Sequence, residues 1–275
     1  MTTTIVDATS VPWVNGADVY MSMEPAFRNN LGGPLERVEE LLSRYSMRTL
    51  WIDPGTTRRI DHVRTDPGYV DLCEAYHDSV EECFFLSGSV ELTAEGDFQA
   101  GDYFWRPPGW VHMARSPEGF EGILMMEGES PSDGSGRVSR VIRPDSDAGC
   151  NPIREGEQSI GPRGYVRRAE ARHMVWRRHD DSVTALGSAE LTSKVLSSNA
   201  VTAAASVLVA VPAGCSTQIA PSDRERFLIS TTGTITVDGH DLEPCSLIHV
   251  PPGAAAPTLS TDDGAELLVK VGAAA

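Results

Sequence analysis

From Arg48 onward the chain is written in short apolar or alternating runs, among them MRTLWI, ECFFL, SVELTA, DYFWR and GILMME. Each run is closed by a turn signal such as Asp-Pro-Gly, Ser-Gly, Glu-Gly or Pro-Pro-Gly. Runs of this length between such signals predict the strands of a sandwich or barrel. One segment has a different period. Between Gly33 and Ser46, Pro34 suits a first helical turn, and Leu35, Val38, Leu41, Leu42 and Tyr45 follow at spacings of three and four, which predicts a helix over about 34–46. The stretch from Gly128 to Arg168 is rich in Ser, Asp, Gly, Pro and Arg and has little periodicity. It reads as an interdomain connection, with room for part of it to pack on a barrel. Short strands then resume with SKVLSS, ASVLVAV, RFLIS, TITVDG, SLIHV and ELLVKV.

The second half repeats the first. Arg48 to Gly68 aligns without gaps at an offset of 146 with Lys194 to Gly214, Gly88 matches Gly233 at 145, and Pro107 and Gly109 match Pro251 and Gly253 at 144. We therefore expect a duplicated architecture: an N-terminal domain over 1–145 that carries the helix, then a linker and a second barrel over 146–275. A length of 275 residues suits two small domains.

Composition narrows the function. With 25 Gly, 18 Pro and ordinary shares of apolar and charged residues, the chain fits an all-β fold. A formal charge of −16 repels phosphate backbones and anionic lipid, so neither nucleic acid nor a membrane is expected as a partner. No apolar stretch is long enough to span a bilayer and the start has no signal-peptide pattern, which gives a cytoplasmic expectation. Cys73, Cys83, Cys150, Cys215 and Cys245 are scattered, without C-x-x-C spacing, and read as free thiols.

The chemistry concentrates in YHDSVEECFFLSG, residues 76–88, and GDYFWRPPGWVHMARS, residues 101–116. These resemble the two cupin motifs, G-x5-H-x-H-x3,4-E-x6-G and G-x5-P-x-G-x2-H-x3-N. His77, Glu81 and Gly88 fall on the first motif; Gly101, Pro107, Gly109 and His112 fall on the second, where Ser116 replaces the final Asn. The resemblance implies an all-β chain of two tandem cupin barrels, each a double-stranded β-helix of jelly-roll type. It also implies one divalent metal ion per chain, on His77, Glu81 and His112. Both the His and the Gly spacings select Glu81 over Glu82.

Independently of the name, residues on neighbouring strands can converge inside a barrel. Two imidazoles and a carboxylate suit Fe(II) first, with Zn(II), Ni(II) or Mn(II) as alternatives. The family's first His falls at Ala75, so one coordination position is freed unless His62, on the preceding predicted strand, replaces it. At the corresponding offsets the second barrel has Ala220, Ser222, Arg226 and Ala256, and no ligand survives.

Around the ion, alternation with Glu81 brings Cys83 and Phe85 inward, and Tyr76 beside His77 is a further pocket candidate. Further on, either Tyr103 and Trp105 or Arg106 faces in. Alternation leaves both open, and an outward Arg106 is the favoured reading. The facial arrangement of two His and one carboxylate points to an Fe(II) oxygenase acting on a small chelating organic substrate and O2. A Lewis-acid isomerase, lyase or hydrolase is a second reading, and a non-catalytic small-molecule sensor a third. Barrels of this family often pair, so a homodimer is expected.

Overall fold

The computed structural model describes residues 2–22, 35–93, 95–127, 141–145, 152–153, 166–187, 190–254 and 257–272. The chain is predominantly antiparallel β and forms two compact units. One is Pro12–Glu170; the other joins Met1–Val11 to Ala171–Ala275.

The principal sheet of the first unit runs in the order Asp102–Arg106, Val80–Leu92, Phe120–Glu127, Arg59–Thr65, Tyr45–Ile52, every neighbouring pair antiparallel. The second unit has Leu247–Val250, Arg226–Thr232, Ala265–Val271, Ala205–Val211, Thr192–Ser198 in the same succession. The duplication read from sequence offsets is thus a duplication of topology. β-branched and aromatic residues fill these strands because their bulk packs on a pleated surface half-buried against a core. In the second unit the interior side chains form one apolar cluster that includes Val207, Val209, Leu228, Ile248, Leu267 and Val269.

A matched pair of glycines recurs in both units. Gly88 has φ +71°, and a Cβ built there would lie 2.1 Å from the Gly119 carbonyl oxygen; Gly233 has φ +76°, and its Cβ would lie 2.2 Å from that of Gly264. Only a residue without a Cβ permits this approach where the Val80–Leu92 and Arg226–Thr232 strands pass the next crossing.

The unit boundaries differ from the expected 1–145 and 146–275 at both ends. Thr4–Val6 pairs with Leu247–Val250, while Val166–Glu170, at the end of the expected linker, pairs with Asp102–Arg106. Each unit therefore takes an edge strand from the segment that precedes the other unit's barrel. The pairing covers N–H and C=O groups that an open sheet edge would leave unmet. Of the remaining connection, Val141–Ile142 pairs with Tyr76–His77.

The helix expected over about 34–46 is observed as Leu35–Leu42; Gly33 and Pro34 lie outside the described residues. It stops early because Tyr45 and Ser46 pair with Thr65 and Arg64 in the sheet, so tertiary pairing overrides the helical period. A helix the pattern missed, Gly16–Ser22, packs beside it. Among the described residues no helix is long and apolar enough to cross a membrane. The described cysteines are free, and Cys150 lies outside the described residues.

Gly88→Ala and Gly233→Ala should each destabilise the unit that carries the change by about 2–4 kcal/mol, through positive φ and a backbone clash together. Urea unfolding followed by tryptophan fluorescence and circular dichroism measures this, and a shift within about 0.5 kcal/mol of wild type would contradict the account.

Candidate metal centre

His77 ends the two-residue strand Tyr76–His77, and Glu81 is the second residue of Val80–Leu92. His112 follows the Pro-Pro-Gly turn, in which Gly109 adopts φ +90° and Trp110 N–H donates to the Pro107 carbonyl at 3.3 Å. Backbone hydrogen bonds fix the histidines relative to each other. Gly109 N–H donates to the His77 carbonyl at 2.8 Å, and Ala75 and His112 exchange N–H···O bonds of 3.0 and 2.9 Å. The turn glycine and the missing-ligand position thus hold the site's two histidine segments together.

All three side chains are buried, with His77 and His112 each 8% exposed and Glu81 6%, and their donor atoms lie within 4.8 Å of one another. His77 Nε2 is 3.6 Å from Glu81 Oε1, and His112 Nε2 is 3.5 Å from Glu81 Oε2. Cis ligands at ~2.0–2.2 Å from a shared ion stand about 3 Å apart, so these spacings need only a small adjustment to accept one. His112 Nδ1 is 3.0 Å from the Trp110 carbonyl, a bond that requires the proton on Nδ1 and leaves the Nε2 lone pair aimed at Glu81. Burial lowers the His112 pKa, with Arg106 adding to the effect, which favours the neutral imidazole a metal needs. Burial pushes the Glu81 carboxyl up, but His112, Arg106 and His77 outweigh it and hold the group down at about 2. The donor set suits a divalent metal ion.

Arg106 faces the interior, contrary to the favoured outward reading. Its register partner is Glu81, and its Nη1 donates to Glu81 Oε2 at 2.8 Å. Nε donates to Glu95 Oε1 at 3.2 Å, Nη2 bonds to the other Glu95 oxygen, and the guanidinium carbon sits 3.9 Å over the Phe104 ring. Alternation then sends Tyr103 and Trp105 to the opposite face. There Tyr103 O–H donates to Glu82 Oε2 at 2.6 Å, and Trp105 is opposite Val166. A buried cation needs buried anions, and these lie on the inner face, which decides the phase of the strand.

Glu81, Cys83 and Phe85 share that face and line a cavity of about 250 Å3 together with Ala75, His77 and His112. Tyr76 does not; it packs with Val111 and Ile142 on the other side of its strand. His62 is no replacement ligand. It lies on the outer face of Arg59–Thr65, with Nε2 2.6 Å from Glu121 Oε1, Nδ1 accepting from Arg48 Nε at 2.9 Å, and Trp13 against its ring. Burial raises the Cys83 thiol pKa strongly, so it stays protonated and acts as packing. Ser116 Oγ, where the motif has Asn, donates to the Ser89 carbonyl at 2.6 Å.

Several lining residues were missed from sequence. Arg59 and Val63 reach the cavity from the neighbouring strand, and Val19, Tyr20 and Leu42 come from the two helices. Asp71 accepts from Tyr69 O–H at 2.5 Å and from Ala114 N–H at 2.6 Å, and burial raises its pKa. The alternation RIDHVRT carried a signal for Arg59 and Val63; nothing local carried one for the helical lining.

At the matching place in the second unit, Arg226 is fully buried and donates through Nη1 to the Ala220 carbonyl at 2.8 Å. Val250 occupies the position of Arg106, and Ala256 lies outside the described residues. Among the described residues the only cluster of three or more potential ligands is His77, Glu81 and His112.

No protein-family sequence model matches the chain, and no curated protein matches it. Solved structures do. A provisionally assigned dioxygenase from Nostoc punctiforme superposes with TM-score 0.70 at 15% identity, covering 98% of this chain and 82% of that one. The salicylate 1,2-dioxygenase of Pseudaminobacter salicylatoxidans gives TM-score 0.55 at 13% identity over 82% of this chain and 76% of that one. The nickel(II) complex of the Escherichia coli pirin YhhW gives 0.57 at 12% over 99% and 100%. The shared architecture is the cupin fold, and at these identities the likeness concerns the fold alone.

Replacing the buried cation should be costly. Arg106→Met leaves Glu81 and Glu95 buried without their partner, and the first unit should lose about 3–5 kcal/mol of stability in denaturant titrations of metal-free protein. A loss below about 1 kcal/mol would mean that the ion triad is solvated rather than buried.

Proposed function

We propose that the first barrel is a metal-dependent enzyme site in which His77, Glu81 and His112 hold one divalent ion, and that the ion is Fe(II) serving an oxygenase. The observation that carries this reading is the cavity beside three convergent ligands with a methyl group, Ala75, on the fourth side. Ala75 lines the cavity and is paired to His112 through the backbone, so a position filled by imidazole in the motif is open here. Two histidines and one carboxylate leave room for a chelating substrate together with O2. Bound Fe(II) would supply the redox chemistry of the reaction. The chain's residues bind and orient: Arg106 holds one Glu81 oxygen and leaves the other toward His77, while Phe85, Phe104 and Leu124 keep the cavity apolar. A homodimer that binds only small molecules accompanies this reading. The dioxygenases among the structural neighbours support an enzyme of this kind, with the cupin fold as the common ground.

Purified protein should carry about one metal equivalent. His77→Ala, Glu81→Ala and His112→Ala should each lower affinity by more than the roughly 10–100-fold typical of outer-shell changes, because none of three ligands is redundant. Metal analysis with circular dichroism on the same samples checks this, and full occupancy in all three variants would remove the assignment. For the reaction, O2 uptake on β-diketones and phenolic ketones should require Fe(II) and cease with Zn(II). Undiminished turnover of Zn(II) protein under argon would favour the Lewis-acid reading instead.

Ala75→His tests the open position. Metal retention should rise while turnover of fully loaded protein falls, since four protein ligands leave about two positions on an octahedral ion. A variant whose introduced imidazole ligates the ion and whose rate equals wild type would exclude use of that position in the reaction.

A further inference from the structure

One transverse row of the first sheet places Arg59, Met126, Glu81 and Arg106 directly opposite one another on four consecutive strands. All four side chains line the same cavity. With strands ~4.8 Å apart, the Arg59 backbone stands about 10 Å from that of Glu81, with Met126 between them as an apolar floor.

The two arginines of this row are used differently. Arg106 is 1% exposed, and its nitrogens are committed to Glu81 and Glu95. Arg59 is 29% exposed at its side chain and touches Asp61 Oδ2 only through Nε, an ion-pair contact of 2.9 Å that lacks hydrogen-bond alignment. Asp61 is fully buried and is fixed in turn by Thr49 Oγ1 at 2.7 Å. Neither Nη1 nor Nη2 of Arg59 has a hydrogen-bond or ion-pair partner among the described residues. A guanidinium steadied at its inner nitrogen, with its outer pair free in a mostly apolar cavity, presents a two-pronged donor matched to a carboxylate.

We propose that Arg59 is a specificity-determining residue that binds the carboxylate of a small organic acid, whose apolar body lies over Met126 and whose far end reaches the metal centre. The second half of this statement rests on the metal-centre reading above; the first half does not.

Benzoate and its neutral counterpart benzamide serve as probes, titrated calorimetrically into the full chain in Zn(II)-loaded and metal-free form. Wild-type protein should bind benzoate at least about tenfold more tightly than benzamide in both forms, the discrimination expected of a charge-assisted bidentate contact. Arg59→Met should abolish the preference while metal content stays at the wild-type level. Should loss of Arg59 leave Asp61 uncompensated and the fold impaired, Arg59→Met combined with Asp61→Asn makes the same comparison with no unpaired charge.

A preference that survives in these variants, a wild type that does not discriminate, or a wild type to which benzoate fails to bind would overturn the proposal. So would a preference present only with metal bound, because the carboxylate would then be held by the ion. A protein that takes up no metal yet prefers benzoate through Arg59 would refute the metal centre alone and leave Arg59 as the anion anchor.

Discussion

Arg106 carries a permanent charge and is almost wholly removed from water, a state that a barrel interior tolerates only when opposite charges and hydrogen bonds surround it. Glu81 and Glu95 supply both. The arrangement fixes more than an ion triad. Once Arg106 must face Glu81, the phase of two strands is set: Phe104 turns inward above the cavity, Tyr103 and Trp105 turn outward, and Tyr103 finds Glu82. The orientation of the Glu81 carboxylate follows, one oxygen held by the guanidinium and the other left toward His77. The candidate metal centre is therefore positioned by electrostatics that need no metal.

The second barrel shows the same frame built on different forces. Its five central strands repeat the order of the first, and the paired glycines recur, yet its interior is filled by an apolar cluster running from Leu186 to Val271. Where the first barrel keeps a cavity bordered by charges, the interior of the second is lined mainly by branched aliphatic side chains, whose burial is a stabilising term that needs no paired ions. Arg226, at the Glu81 position, turns one nitrogen to a backbone carbonyl instead of to a carboxylate.

What the amino-acid sequence disclosed follows how local each signal was. The convergence of His77, Glu81 and His112 was legible because glycine and proline spacings fix the register of short strands, and the three side chains sit within a few residues of those markers. Cys83 and Phe85 followed from period-two alternation. Arg106 was misjudged because alternation offers two phases, and the deciding partner, Glu95, lies on a turn whose approach no spacing encodes. Tyr76 failed for the same reason, since its short strand points only one of two neighbours inward. The helix was drawn too long because its apolar period runs on into Tyr45, a residue claimed by the sheet. Val19 and Tyr20 reach the cavity from a helix, Gly16–Ser22, for which no local pattern was read. The edge strands were out of reach in principle, since Thr4–Val6 and Leu247–Val250 are joined by nothing but three-dimensional pairing.

That pairing orders events during synthesis. Ala8 N–H ends up bonded to Ser246 Oγ, 238 residues further on, so this segment must wait for most of the chain that follows it before it finds its place. Closing so long a span adds little to the equilibrium cost, which grows only with the logarithm of length, but contacts of such separation form late. The first barrel can assemble around His77, Glu81 and His112 while Thr4–Val6 still waits, unpaired, for a sheet that has not yet been translated. Ordering of that cluster and pairing of Thr4–Val6 are thereby separated in time.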